Sequence, residues 1–215
     1  MRFHQTRFDR MLSNMGQQML YWRAWGCSCV NAASGAPDPK CQLCLGKGHF
    51  YDSPVPTRAA QASQKIQGNW AKGGRFETGD LVLSVPSTSA IWAAGQFDRV
   101  TMLDADERFS MPMTRGAPTE RLPFKVKDIT RVFWKHPQTG VLIEGGIPTF
   151  DPKTGRPAWT DREPPAGVTY SLTGNRFVEY FIYQDLPTSR AFHDGTQLPK
   201  HVVLRKYDLL GRRVN

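Results

Sequence analysis

The sequence predicts a mainly β protein, an antiparallel β-barrel or sandwich preceded by an N-terminal helix and a small four-cysteine zinc-knuckle module. Three observations predict it. From Gly79 onward the chain is a series of short runs rich in β-branched and aromatic residues, each bounded by turn residues. Near the N-terminus an apolar stripe recurs at helical period. All four cysteines fall within residues 27–44, in the pattern C-x-C-x11-C-x2-C-x-G-x-G. The expected division is therefore 1–51 for the helix and knuckle, 52–78 for an extended connector, and 79–215 for the β domain.

The helix is expected over residues 6–22, "TRFDRMLSNMGQQMLYW", where Phe8, Met11, Leu12, Met15, Met19 and Trp22 form one stripe. Thr6 and Asp9 are spaced as a capping box with Asp in place of Glu. A glycine inside a helix costs up to about 1 kcal/mol relative to Ala, so Gly16 implies the close approach of a neighbour.

Cys27, Cys29, Cys41 and Cys44 are the candidate metal ligands. In "CQLC" the x2 spacing lets two thiolates face one ion while backbone N–H groups turn toward the sulfurs, and Gly46 and Gly48 permit the tight turn. "CSC" needs a sharp bend at Ser28 before both sulfurs reach the same point. Two disulfides or unligated thiols are the competing readings. The absence of an apolar N-terminal stretch points to a cytoplasm, which keeps thiols reduced. The expected ion is one structural Zn2+ per chain, because four thiolates leave no open position for water or substrate. His49 stands beside the knuckle and is not needed as a ligand.

The stretch "DSPVPTRAAQASQKIQGNWAKGGRFETGD" has connector composition. Strands are then expected at "DLVLSVP", "AIWAAGQF", "DRVTML", "ERFSMPM", "FKVKDITRVFW", "GVLIEGGIPTF", "GVTYSLTG", "RFVEYFIY" and "HVVLRKYDLL". "RFVEYFIY" suits a strand buried on both faces. The acidic cluster Asp104, Asp106 and Glu107 falls between two of these runs and reads as a hairpin turn. Long polar loops at 151–167 and 185–200 are uncommon in compact domains and are expected to contact other molecules.

Composition narrows the function. Hydrophobic content of 40% with 22% charged residues is that of a folded soluble protein. No run is apolar enough to span a membrane. The net charge of +9 is spread along the chain rather than gathered into a basic and aromatic reading patch. No H-E-x-x-H, G-x-S-x-G, P-loop or strand-linked G-x-G-x-x-G is present, so no enzyme activity and no small-molecule substrate are expected.

The segment C-x-C…D-P-x-C-x-x-C-x-G-x-G after a short helix resembles a knuckle of tailed-bacteriophage virion proteins. "FDRVTMLDADERFSMPMTRG", "GVTYSLTGNRFVEYFIYQDLPTSRAF" and "LPKHVVLRKYD" resemble the same group, the neck or head-to-tail connector components. The resemblance runs from about residue 20 to 208. It implies a homo-oligomeric ring of β-barrel subunits in the virion, assembled in the host cytoplasm and touching neighbouring neck, portal or tail proteins. DNA would pass through the channel without sequence readout. A baseplate or tail position, and a zinc-ribbon nucleic-acid-binding protein using Arg23, Lys40 and Lys47, are the other readings.

Overall fold

Six antiparallel strands close on themselves in the computed structural model, which describes residues 4–74, 76–151, 154–185, 192–193 and 195–210. In chain order the elements are α1 (Gln5–Met15), β1 (Gln17–Trp22), β2 (Ala24–Gly26), β3 (His49–Tyr51), β4 (Val55–Gln61) and α2 (Gln64–Lys72). They continue with β5 (Leu81–Val85), β6 (Arg99–Thr114), β7 (Val126–Lys135), β8 (Leu142–Glu144), β9 (Thr149–Phe150) and β10 (Pro157–Ala158). The chain ends with β11 (Thr169–Asp185), β12 (Phe192–His193), β13 (Thr196–Gln197) and β14 (Lys200–Lys206). The expected mainly β fold, with its antiparallel sheet and N-terminal helix, is what forms.

The chain divides into two compact units, residues 1–104 with 179–215, and residues 105–178. The division falls inside the two longest strands, β6 and β11. In the first unit the strand order β14-β5-β4-β1-β6-β11 is closed by pairing of β14 with β11, which leaves no open edge in that ring. Registered pairs place Met19 opposite Met102 and Leu83 opposite Val202, all almost fully buried on the inner face. The alternate residues Val82 and Val203 face outward and are covered by Trp70 and Ile66 of α2. β5 and β14 are thus apolar on both faces because both faces are covered.

The second unit carries the sheet order β6-β11-β7-β8 and the hairpin β9–β10. Its core is Met113, Leu122, Val132, Trp134, Tyr170 and Leu172. Buried Glu120 organises one side, accepting hydrogen bonds from the Tyr170 hydroxyl at 2.9 Å and the Gly116 amide at 2.7 Å.

Several local expectations are corrected. The helix stops at Met15, and residues 17–22 form a strand. Met19 and Tyr21 are buried at strand period, so "MLYW" satisfied both templates and pairing with β4 and β6 decided between them. A Cβ on Gly16 would lie 2.7 Å from the Leu12 carbonyl oxygen and 3.0 Å from the Ala59 backbone, the close approach its position implied. The capping box does not form. His4 occupies the N-cap without a side-chain cap, and Asp9 accepts from the Ser87 amide at 3.0 Å and hydroxyl at 2.6 Å instead.

The expected connector supplies β4 and α2. Gln67 substitutes for a strand neighbour, its side-chain amide bonding both the N–H and the C=O of Val82 at 3.0 Å. "AIWAAGQF" is not a strand. Ala90–Ala93 is a 3-10 turn capped by Ser89, with Ile91 fully buried. Asp104, Asp106 and Glu107 lie mid-strand in β6, not in a turn. Each is matched from across the sheet, by the Gln18 amide, Lys127 and Arg176 respectively.

"GVTYSLTG" and "RFVEYFIY" are one strand, β11, in which no residue from Tyr170 to Gln184 is exposed. Gly174 marks a shift of register against β7 rather than a turn. A Cβ there would lie 2.2 Å from the Asp128 carbonyl oxygen. Gly174→Ala is expected to destabilise the second unit by roughly 1–3 kcal/mol, since backbone has to move. An unchanged urea midpoint would show that the bulge does not require glycine.

The loop at 151–167, of which residues 152 and 153 are not described, is anchored to its own unit at three points and otherwise largely exposed. Gly155 accepts from the Leu122 amide at 2.8 Å, Trp159 meets Tyr170 edge-on at 5.3 Å, and Pro164 is buried. Within the loop at 185–200, the pair β12–β13 is described and Trp92 Nε1 donates to the Leu198 carbonyl at 2.7 Å. Residues 186–191 and 194 of that loop lie outside the described residues. Among the described residues no helix is long and apolar enough to cross a membrane.

Candidate metal centre

The four cysteines converge. All four Sγ atoms lie within 4.8 Å of one another, with Cys27–Cys41 at 3.7 Å and Cys29–Cys44 at 3.4 Å. None is disulfide-bonded. Tetrahedral coordination at a metal–sulfur distance of about 2.3 Å sets sulfurs about 3.8 Å apart, so the cluster matches a single ion after only small adjustment. The donor set is compatible with a metal ion.

Local sequence explains the convergence. The short ladder β2–β3 brings residues 24–26 beside 49–51, and Cys27 N–H donates to the Gly48 carbonyl at 2.8 Å. A tight turn from Cys27 to Val30, closed by a 3.1 Å bond, supplies the bend at Ser28. The intervening loop is built from side-chain turn chemistry. Asn31 Oδ1 accepts from the amides of Ala33 and Ser34, and Asp38 Oδ1 from that of Lys40. After Cys44 the backbone takes positive φ at Leu45 (52°), Gly46 (78°) and Gly48 (80°). At Gly46 a Cβ would also crowd the Pro39 backbone at 3.3 Å. The glycines of C-x-G-x-G are thus required by conformation and, at Gly46, by space.

The thiols do not share one electrostatic environment. The backbone N–H groups of Cys44 and Leu43 point at Cys41 and draw its pKa down to about 7. Burial pushes the Cys29 thiol up to about 12, and its own S–H, donating to the neighbouring sulfurs, adds to the shift. Four thiolates this close repel one another, and a divalent cation removes that penalty.

His49 is not drawn into the cluster. Its ring stacks on Phe97 at 4.6 Å with an interplanar angle of 28°. It belongs to a second set of contacts, Lys47, His49 and Tyr51, that fixes the module to its own unit. Lys47 Nζ donates to the Leu210 carbonyl at 2.8 Å, and the Tyr51 ring meets Tyr207 at 5.9 Å. Behind them, buried Asp98 accepts from the Tyr21 hydroxyl at 2.5 Å, the Ala24 amide at 2.7 Å and the Gly95 amide at 2.8 Å. Arg99 pairs with Glu179 and lies 4.4 Å from the Tyr207 ring centre. The sequence pattern singles out the four cysteines but not this docking set. Its only signal was the alternation of Lys47, His49 and Tyr51 on one face of an extended segment.

No protein-family model matches the chain, and no curated protein matches it in sequence.

Proposed function

We propose that this protein is a non-catalytic structural subunit, stapled by one zinc ion per chain, that assembles into a ring in the neck of a tailed-bacteriophage virion. Cys27, Cys29, Cys41 and Cys44 hold the zinc. A complete shell of four sulfurs leaves no position for water or substrate, so the ion's role is to order residues 27–48.

The observation that carries the assembly reading is the outer face of α1. Leu12 and Asp9 turn inward, while Met11 and Met15 remain 43% and 74% exposed, with Arg7 and Arg10 exposed beside them. Methionine is enriched at protein interfaces, and so is arginine. The partners are other copies of the chain and adjacent portal-side or tail-side proteins, with DNA passing non-specifically. The quoted motifs supply the virion context. A zinc-ribbon nucleic-acid reader is disfavoured because Lys47, one of its three basic residues, already donates to Leu210.

The full chain is expected to self-associate as concentration rises, measured by light scattering after size exclusion. Met11→Asp/Met15→Asp is expected to shift it toward monomer without changing its circular dichroism. Specific interfaces bury at least roughly 1,000 Å², so two charges placed in one are expected to weaken association at least about tenfold. A monomer at every concentration, together with retention on DNA at physiological salt, would overturn the reading in favour of nucleic-acid binding.

A further inference from the structure

The knuckle touches the end of the described chain, and the contacts come from one face of one short segment. Lys47, His49 and Tyr51 alternate after Cys44. Lys47 Nζ donates to the Leu210 carbonyl at 2.8 Å and lies 5.4 Å from the Tyr207 ring centre. Tyr51 meets the Tyr207 ring edge-on at 5.9 Å and its hydroxyl reaches the Phe97 carbonyl at 3.4 Å. The segment they hold, Tyr207–Leu210, is a single 3-10 turn closed by one bond, Leu210 N–H to the Tyr207 carbonyl at 3.1 Å. A turn of that length does not persist alone. Yet Leu210 is only 6% exposed, so its order derives from what packs on it.

We propose that the metal module is a clamp on Tyr207–Leu210, so that metal occupancy decides whether this end of the barrel unit is docked or released. This rests on the zinc reading above and adds a consequence to it. Residues 27–48 contain no helix or strand, and their only buried apolar members are Cys27 and Cys44, two of the ligands. Without the ion the module has no core to keep Lys47 and Gly48 in place. Gly48 is the acceptor of the Cys27 amide, and Lys47 donates its own amide to the Cys44 carbonyl at 3.0 Å, so both are tied directly to ligand residues. Release of the segment uncovers Tyr51 and the Tyr207-facing side of Arg99.

Hydrogen–deuterium exchange on the full chain tests this, read on peptides covering 203–210 with β1 and β5 as internal references. Three samples are compared: protein as purified, protein stripped with a chelator, and Lys47→Met. Chelation and Lys47→Met are both expected to speed exchange over 207–210 at least about tenfold, the scale of one lost charge-assisted hydrogen bond. Lys47→Met is expected to retain its metal, and the reference strands are expected to stay unchanged. Metal lost on chelation with no change over 207–210 overturns the clamp alone. Protein that never carries metal overturns the zinc reading and the clamp with it.

Discussion

Cys41→Ser or Cys44→Ser is expected to abolish the proposed zinc binding and to unfold residues 24–51 while the barrel strands remain folded. Each substitution leaves three thiolates around a position that needs four, and it removes a residue that the module cannot replace from a core it does not have. Apparent binding free energies of structural zinc are about 10–16 kcal/mol in small zinc modules at neutral pH. Loss of even a fraction of that exceeds what the three-pair ladder β2–β3 can supply. Elemental analysis should fall from one zinc per chain to none. Limited proteolysis should cut within 30–45 first and leave a resistant remainder. The barrel survives because its inner residues, among them Met19, Leu83, Val202 and Leu204, come from strands outside the module. Full zinc in Cys41→Ser, or simultaneous loss of the module and the barrel strands, would contradict this account.

Asp80→Ala is the second large effect, expected to lower the stability of the barrel unit by about 3–5 kcal/mol. The Asp80 side chain is 0% exposed and has four donors around it. Arg205 grips both carboxylate oxygens, at 3.0 and 2.9 Å, while Trp70 Nε1 and the Glu77 amide donate at 3.2 and 3.1 Å. Arg205 is itself stacked 3.8 Å from the Tyr183 ring centre. Removing the carboxylate takes from the buried guanidinium both of the hydrogen bonds it makes to Asp80 and leaves the Trp70 indole N–H without its acceptor. It thereby loosens α2 on β5 and β14 as well. Because much of the cost is that of a buried charge whose bidentate partner is gone, Asp80→Ala/Arg205→Met should be less destabilised than Asp80→Ala alone. Urea unfolding followed by tryptophan fluorescence measures both. A single mutant within about 1 kcal/mol of wild type would show that water reaches the pair.

Sequence by itself determined what depends on local chemistry. The clustering of the four cysteines was legible because C-x-C and C-x2-C-x-G-x-G bring thiols together through turns that only a few residue types permit. The positive φ values at Gly46 and Gly48 are that constraint realised. The β character after Gly79, the lack of exposed residues in "RFVEYFIY" and the close approach at Gly16 follow from pattern and residue size in the same way.

Tertiary structure decided wherever a local pattern satisfied two templates or none. Residues 17–22 fit a helical stripe and a strand alternation equally, and the open flanks of β4 and β6 selected the strand. Gly174 carried a turn signal, yet pairing with β7 made it a bulge inside one long strand. Acidic residues at 104–107 lost their turn-like character because Gln18, Lys127 and Arg176 meet them from neighbouring elements. Trp159 of the Pro- and Gly-rich loop after β9 is fixed by Tyr170, a residue of β11. None of these partners lies within a few residues of the one it fixes. No local pattern contains such contacts, whereas the pairing of β14 with β11 and the hydrogen bond of Lys47 to Leu210 are made of nothing else.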